Sequence, residues 1–150
     1  MNVNVMDLFS LKGKVAVVTG GGGLYGRQIT IALSQAGART YVTSRKKEQL
    51  PELEKRFEQE GVQVTAAYVD LEDEASILAL RDRVRDENGR VDVLVNNAVA
   101  RTMGSWNDPL EAFDKSMRIN ATGLFAITRA FGDLMAGQGK GSIINIGSIQ

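Results

Sequence analysis

The 150 residues include no cysteine and no histidine. Without cysteine the chain holds no disulfide, no thiolate nucleophile and no cysteine-ligated zinc or iron–sulfur centre, and cysteine usage is silent on redox compartment. Without histidine it has no serine–histidine triad, no imidazole acid/base and no histidine-ligated metal. Proton transfer is left to Asp, Glu, Lys, Tyr, Ser or water. Net charge is also missing, because 18 Lys plus Arg balance 18 Asp plus Glu. No global field favours nucleic acid or an anionic membrane surface, so neither is expected as a partner. The longest apolar runs, such as Val15 to Val18 and Leu124 to Ile127, are four residues, against roughly 20 for a membrane helix. Asp7, with no basic residue before Lys12, does not fit a secretory leader, and a cytoplasmic location is the expectation.

What is present is an ordinary globular balance, 43% hydrophobic and 24% charged with 16 glycines. A single domain of this length buries roughly two thirds of its unfolded surface. Short runs rich in Val and Ile alternate with segments of helical period. Strands are expected at Lys14 to Thr19, Arg39 to Thr43, Gln63 to Val69, Val91 to Val95 and Gly141 to Ile146. Between them, Ile29, Ala32, Leu33 and Ala36 recur at helical spacing before Gly37, which sits where a left-handed cap belongs. Lys46 to Glu60 reads as a helix with Leu50, Leu53 and Phe57 on its buried stripe, and Asp73 to Asn88 as another with Ile77, Leu80 and Val84. Asp108, Pro109 and Glu111 form a helix start, with a capping carboxylate, proline at the first position and a capping-box Glu, and that helix is expected to run to about Met135. Strand–helix alternation of this kind predicts a parallel sheet covered on both faces.

Between the first strand and the first helix lies Thr19-Gly20-Gly21-Gly22-Gly23-Leu24-Tyr25-Gly26. Glycines there let the backbone approach a pyrophosphate, whose charge meets the amides of the helix N-terminus. Gly21, Gly23 and Gly26 satisfy the general dinucleotide fingerprint. At this point the chain resembles the short-chain dehydrogenase/reductase family, from Leu11 to Ile149. The family's Thr-Gly-x-x-x-Gly-x-Gly loop maps onto Thr19, Gly20 and Gly26 but meets Leu24 at its middle glycine, one residue after Gly23. The resemblance implies a Rossmann-type doubly wound α/β fold in three layers, strand order 3-2-1-4-5, with residues 1–150 as one dinucleotide-binding domain. The lead-in Leu8 to Lys14 resembles that of the family's sugar-acid dehydrogenases.

Further matches follow along the chain. Asp70-Leu71, after the third strand, matches the Asp that hydrogen-bonds adenine in the family; a turn or cap residue is the other reading of Asp70. Asn96-Asn97-Ala98 resembles the family's Asn-Asn-Ala-Gly, with Val99 replacing the glycine, and such a pair bridges strands, lines the cofactor crevice, or both. Asn120 matches the helical Asn that holds a relay water, an exposed or locally satisfied Asn being the other reading, and Ser148 the serine that hydrogen-bonds the substrate oxygen, with a plain strand-terminal hydroxyl as the other reading; Asn145 reads as structural. The cofactor-binding set is thus Thr19, Gly20, Gly22, Gly23, Leu24, Tyr25, Gly26, Ser44, Arg45, Asp70, Leu71, Asn97 and Ala98.

The segment Thr43-Ser44-Arg45-Lys46-Lys47 ends the second strand without a carboxylate to hold a ribose 2′-hydroxyl or repel a 2′-phosphate. Arg45 offers a planar fork and Ser44 a second donor, so NADP(H) is expected over NAD(H). The other reading of this basic segment is a solvated helix start. The family's reaction moves a hydride between nicotinamide and a carbonyl or secondary alcohol of a small substrate, with a proton from a Tyr-x-x-x-Lys motif. None of Tyr25, Tyr41 and Tyr68 is followed four residues later by Lys. The expectation is a chain truncated before that segment, inactive alone, with an uncovered fifth-strand edge. A noncatalytic dinucleotide-binding or sensing domain is the alternative. The apolar positions Leu110, Phe113, Met117, Leu124 and Phe131, by the family resemblance, point to a homo-oligomer, a dimer or tetramer; intramolecular core is the other reading. Arg101 and Trp106, in the loop after the fourth strand, read as either a border to a polar substrate or plain solvent-exposed loop.

Overall fold

Successive residues of a strand point to opposite faces of its sheet, and the first strand shows why helices flank it on both sides. Val15 and Val17 join a core cluster with Ile77, Leu80, Ile127 and Phe131, while Ala16 and Val18 pack with Ile29 and Leu33. Every residue of that strand is buried. In this computed structural model, which describes residues 4–147, the strands are β1 (Val15–Val18), β2 (Arg39–Ser44), β3 (Val64–Tyr68), β4 (Val93–Asn96) and β5 (Ser142–Asn145). All pair in parallel, in the order β3-β2-β1-β4-β5, as the family resemblance implied.

The helices are α1 (Leu24–Gln35), α2 (Leu50–Gln59), α3 (Glu74–Asn88), α4 (Leu110–Met117) and α5 (Leu124–Gly137). Clusters carrying Ile29, Leu33, Leu53 and Phe57 put α1 and α2 on one face, and a cluster carrying Ile77, Val84, Ile127 and Phe131 puts α3 and α5 on the other. Val18 is in register with both Val42 and Val95. In that register β4 runs one residue and β2 two residues past the end of β1, and the order reverses beside β1, which opens a crevice at that end.

Two expected helices differ from the sequence reading. The segment from Lys46 begins as a 3-10 turn over Lys47–Gln49 and becomes α-helical only at Leu50. Pro51 has no N–H to donate to the carbonyl one α-turn back, so the entry closes on the shorter bonds from Gln49 to Lys46 and from Leu50 to Lys47. The second helix starts one residue late. Pro109 is its cap, with φ −63° and ψ 150°, and Leu110 its first residue. The Asp108 carboxylate turns back into the loop and accepts from the amides of Gly104 (2.6 Å) and Ser105 (3.0 Å). Those two bonds hold its pKa below the usual carboxylate value.

The expected continuous helix to Met135 is also interrupted. Residues Arg118–Gly123 form a π turn between α4 and α5. The turn is closely packed: a Cβ at Gly123 would run into the Leu71 carbonyl oxygen, and Asn120 bonds to the loop after β4. At the other side of the sheet β5 is the edge strand among the described residues, and Ile143, Ile144 and Ile146 are exposed.

Candidate functional site

The chain leaves β1 through the glycine loop and enters α1 at the carboxyl end of the sheet. Gly20 has φ 61°, a left-handed torsion that a side chain disfavours. Gly26 is required for space instead. A Cβ there would press into the Gly20 carbonyl oxygen and stand 2.5 Å from Asn97 Nδ2. Gly23 caps α1, and no side chain takes up the amides of that first turn. A helix of 12 residues thus presents its positive end to a cradle of glycines, which suits the pyrophosphate of a dinucleotide. Beside it a cleft of about 400 Å³ is lined by Gly20, Gly22, Gly23, Ser44, Glu52 and Arg56 among others. Leu24 and Tyr25 line neither this cleft nor the neighbouring cavity, and stand 82% and 71% exposed on α1.

Thr19 holds the two loops of the crevice together. Its buried hydroxyl accepts from the amides of Asn97 and Ala98, each at 3.0 Å. Asn97 Nδ2 in turn donates to the carbonyls of Thr19 and Gly20, both at 3.1 Å. The donor end of the Asn97 amide is thus spent on fixing the glycine loop. Asn96 bridges elements too, donating from Nδ2 to Thr128 Oγ1 (3.0 Å) and Asn145 Oδ1 (2.9 Å). Asn145 is structural, as expected.

A second cavity, about 290 Å³, gathers Arg45, Asp70, Leu71, Ala98, Arg101 and Lys115. It unites five of the residues singled out from sequence, but it separates Arg45 from Ser44, which faces the glycine-loop cleft. The turn reading of Asp70 is the one its hydrogen bonds show. Its Oδ1 accepts from the Glu72 amide at 3.0 Å in a local turn, while the residue lines the cavity. Ser76 pins the Asp70 main chain by its amide and its carbonyl, each at 2.9 Å.

Asn120 lies in the π turn, where a widened helix re-aims side chains and often marks function. Its Oδ1 accepts from the Ala100 amide and its Nδ2 donates to the Ala100 carbonyl, both at 2.8 Å, with Ser116 Oγ at 3.1 Å. Ser148 lies outside the described residues. Of the tyrosines, Tyr25 stands exposed in the first turn of α1, and Tyr41 and Tyr68 line neither cavity of the crevice. Tyr41 is buried and donates to Glu87 at 2.5 Å. Its burial and the Glu87 carboxylate push the phenol pKa up, the wrong direction for a proton donor near neutrality. The Lys47 ammonium sits 4.4 Å from the centre of the Tyr68 ring.

Sequence reading missed Glu52, Arg56 and Lys115 as lining residues. The signal was available for the first two: Leu53 and Phe57 mark the buried stripe of α2, so Glu52 and Arg56 share its flank. A larger cavity, about 660 Å³, lies at the opposite end of the sheet between Ser34 and Thr65. It shares no residue with the crevice and holds none of the expected site.

A family model for short chain dehydrogenase matches residues 14–150. The 2-dehydro-3-deoxy-D-gluconate 5-dehydrogenase of Bacillus subtilis is 37% identical over 146 residues, which cover 95% of this chain and 56% of that one. A solved gluconate 5-dehydrogenase from Burkholderia cenocepacia, in complex with NADP and tartrate, matches with TM-score 0.85 and 32% identity over 97% of this chain and 57% of its own. An NAD+-bound xylitol dehydrogenase matches with TM-score 0.83 and 29% identity over 93% and 54%. The chain spans about half the length of the curated relatives it matches. Among the described residues no helix is long and apolar enough to cross a membrane.

Proposed function

The chain belongs to the short-chain dehydrogenase family, and from that premise we propose that it is the cofactor-binding part of an oxidoreductase. The reaction moves a hydride between NADP(H) and a carbonyl or secondary alcohol of a small molecule. The observation that carries the reading is the glycine cradle at the uncapped amino end of α1, locked to the β4 loop by Thr19 and Asn97. Bound there, the nicotinamide cofactor supplies the hydride. The chain's own residues orient it: the α1 amides and glycine loop meet the pyrophosphate, and Asp70, Leu71 and Ala98 border the adenosine. Leu24 and Tyr25 flank the loop entrance.

Ser148, just beyond β5, hydrogen-bonds the substrate oxygen in this reading. Asn120 supports the proton relay as a positioning residue, by holding the Ala100 loop. None of the tyrosines precedes a Lys by four residues, so these 150 residues alone are expected to turn over no substrate. Preference for NADP(H) is supported by the absence of a carboxylate from Thr43 to Lys47 and by Arg45, which is in no ion pair among the described residues. An NADP-bound and an NAD-bound relative both resemble this fold. Leu110, Phe113, Met117 and Phe125 are exposed along α4 and α5, which supports assembly with a second copy, and a cytoplasmic setting completes the reading.

The test is titration of the chain with NADPH and NADH, followed by cofactor fluorescence. Tighter NADPH binding, weakened by Arg45→Ala, is expected. Tighter NADH binding, or an Arg45→Ala variant that loses nothing, overturns the cofactor preference. Light scattering on the same sample reads the assembly state, and a monomer at all concentrations removes the oligomer.

A further inference from the structure

The arginines of this chain divide into two groups. Arg27, Arg39, Arg81, Arg83, Arg85, Arg90 and Arg129 are each held by a carboxylate. Among the described residues Arg45, Arg56, Arg101 and Arg118 are in no ion pair. Of these, Arg45 and Arg101 line the cavity beside Asp70, whereas Arg56 lines the glycine-loop cleft. A guanidinium without a carboxylate partner, beside a helix amino end with no side-chain cap, adds positive charge where a phosphate-bearing ligand would lie.

Arg56 reaches that cleft because of the helix that carries it. Leu53 and Phe57 are 7% and 2% exposed and fix which side of α2 faces the core. Glu52 and Arg56, four residues apart, then lie together on the flank, and both line the cleft with Gly22, Gly23 and Ser44. The Ser44 hydroxyl already accepts from the Lys46 amide at 3.1 Å, which leaves its proton to donate.

We propose that Arg56 and Glu52 form an opposed pair that reads the 2′ position of the cofactor's adenosine ribose. Arg56 binds a 2′-phosphate through its planar fork, with Ser44 as a second donor. Glu52 repels that phosphate and accepts from a free 2′-hydroxyl. The ratio of NADP(H) to NAD(H) affinity is therefore set from α2 as well as from Arg45 at the end of β2. This inference rests on the reading that the crevice holds a nicotinamide dinucleotide.

The experiment titrates the 150-residue chain with NADPH and NADH, and with 2′,5′-ADP and 5′-AMP as competitors. Arg56→Gln is expected to weaken NADPH and 2′,5′-ADP about tenfold, the loss of one charge-assisted hydrogen bond, while NADH and 5′-AMP change less than about twofold. Arg56→Lys, which keeps the charge and loses the fork, falls between. Glu52→Gln shifts the NADPH-to-NADH affinity ratio the other way. A circular dichroism spectrum and a thermal midpoint matching those of the unaltered chain verify the fold of Arg56→Gln. If the unaltered chain binds NADPH and Arg56→Gln leaves the ratio within about twofold, the assignment of Arg56 is overturned and the dinucleotide reading stands. If the unaltered chain binds neither dinucleotide, both fall.

Discussion

Asn120 holds Ala100 by both of its main-chain polar groups, accepting from the amide and donating to the carbonyl at 2.8 Å each. A helix residue thus supplies the loop after β4 with the pairing that a neighbouring strand would otherwise give. Asn120→Ala removes both bonds and leaves a half-buried peptide unit unsatisfied, at a cost of about 1–3 kcal/mol. Asn120→Asp keeps the acceptor but sets a carboxylate against the Ala100 carbonyl, and is expected to cost at least as much. Urea unfolding gives the totals, and hydrogen exchange at the Ala100 amide should quicken in both variants.

The two glycines that flank α1's first turn should differ sharply. Gly26→Ala forces a methyl group into the Gly20 carbonyl and the Asn97 amide, both rigidly held. Overpacking of this kind costs about 1–3 kcal/mol and should reduce dinucleotide binding with it. At Gly23 the one neighbour of an added Cβ is the Gly20 oxygen at 3.3 Å, so Gly23→Ala should be mild. Equal losses of unfolding free energy in the two variants would contradict the assigned loop geometry.

Thr19 can be dissected by keeping either its shape or its hydroxyl. Thr19→Val retains the shape and removes the acceptor shared by the Asn97 and Ala98 amides. The expected loss is about 2 kcal/mol, since two half-buried donors go unpaired. Thr19→Ser keeps the oxygen and should recover most of it. A serine variant as unstable as the valine one would assign Thr19 to packing alone.

Asp92 gives the fold an acid dependence. Burial works against its ionisation, but Arg90, the Val15 amide at 2.9 Å and Lys14 at 3.5 Å outweigh that and hold its pKa below the usual carboxylate value. Because the folded pKa is the depressed one, the carboxylate stabilises the fold above the unfolded-state value of about 4, and the contribution fades as pH falls through the folded value. Urea midpoints followed from neutrality down through the carboxylate range should therefore drop, and Asp92→Asn should flatten that decline. An identical acid slope in the variant would assign it to other carboxylates.

Strand and helix order was legible from Leu11 onward because it rests on near-neighbour patterns. The four-residue run Val15 to Val18 and the spacing of Leu53, Phe57, Ile77, Leu80 and Val84 depend only on residues within a turn or two. The glycine loop was equally readable, since torsion and chain reversal are local. Asp108 was not. Its carboxylate had two sets of amides within reach, those of the following helix and those of Gly104 and Ser105, and loop geometry decided for the latter.

By itself, then, the sequence determined the α/β alternation, the glycine cradle, the lack of thiol and imidazole chemistry, and the likeness to a family. Tertiary structure alone decided how the site's polar groups are shared out. It parted Arg45 from Ser44, brought Glu52 and Arg56 from α2 to the loop of β1, and turned Asn120 onto Ala100 through a π turn. The physical reason is range: periodicity and capping act over a few residues. A hydrogen bond between positions twenty apart, or a cleft shared by β1, β2 and α2, exists only once the sheet has set those segments side by side.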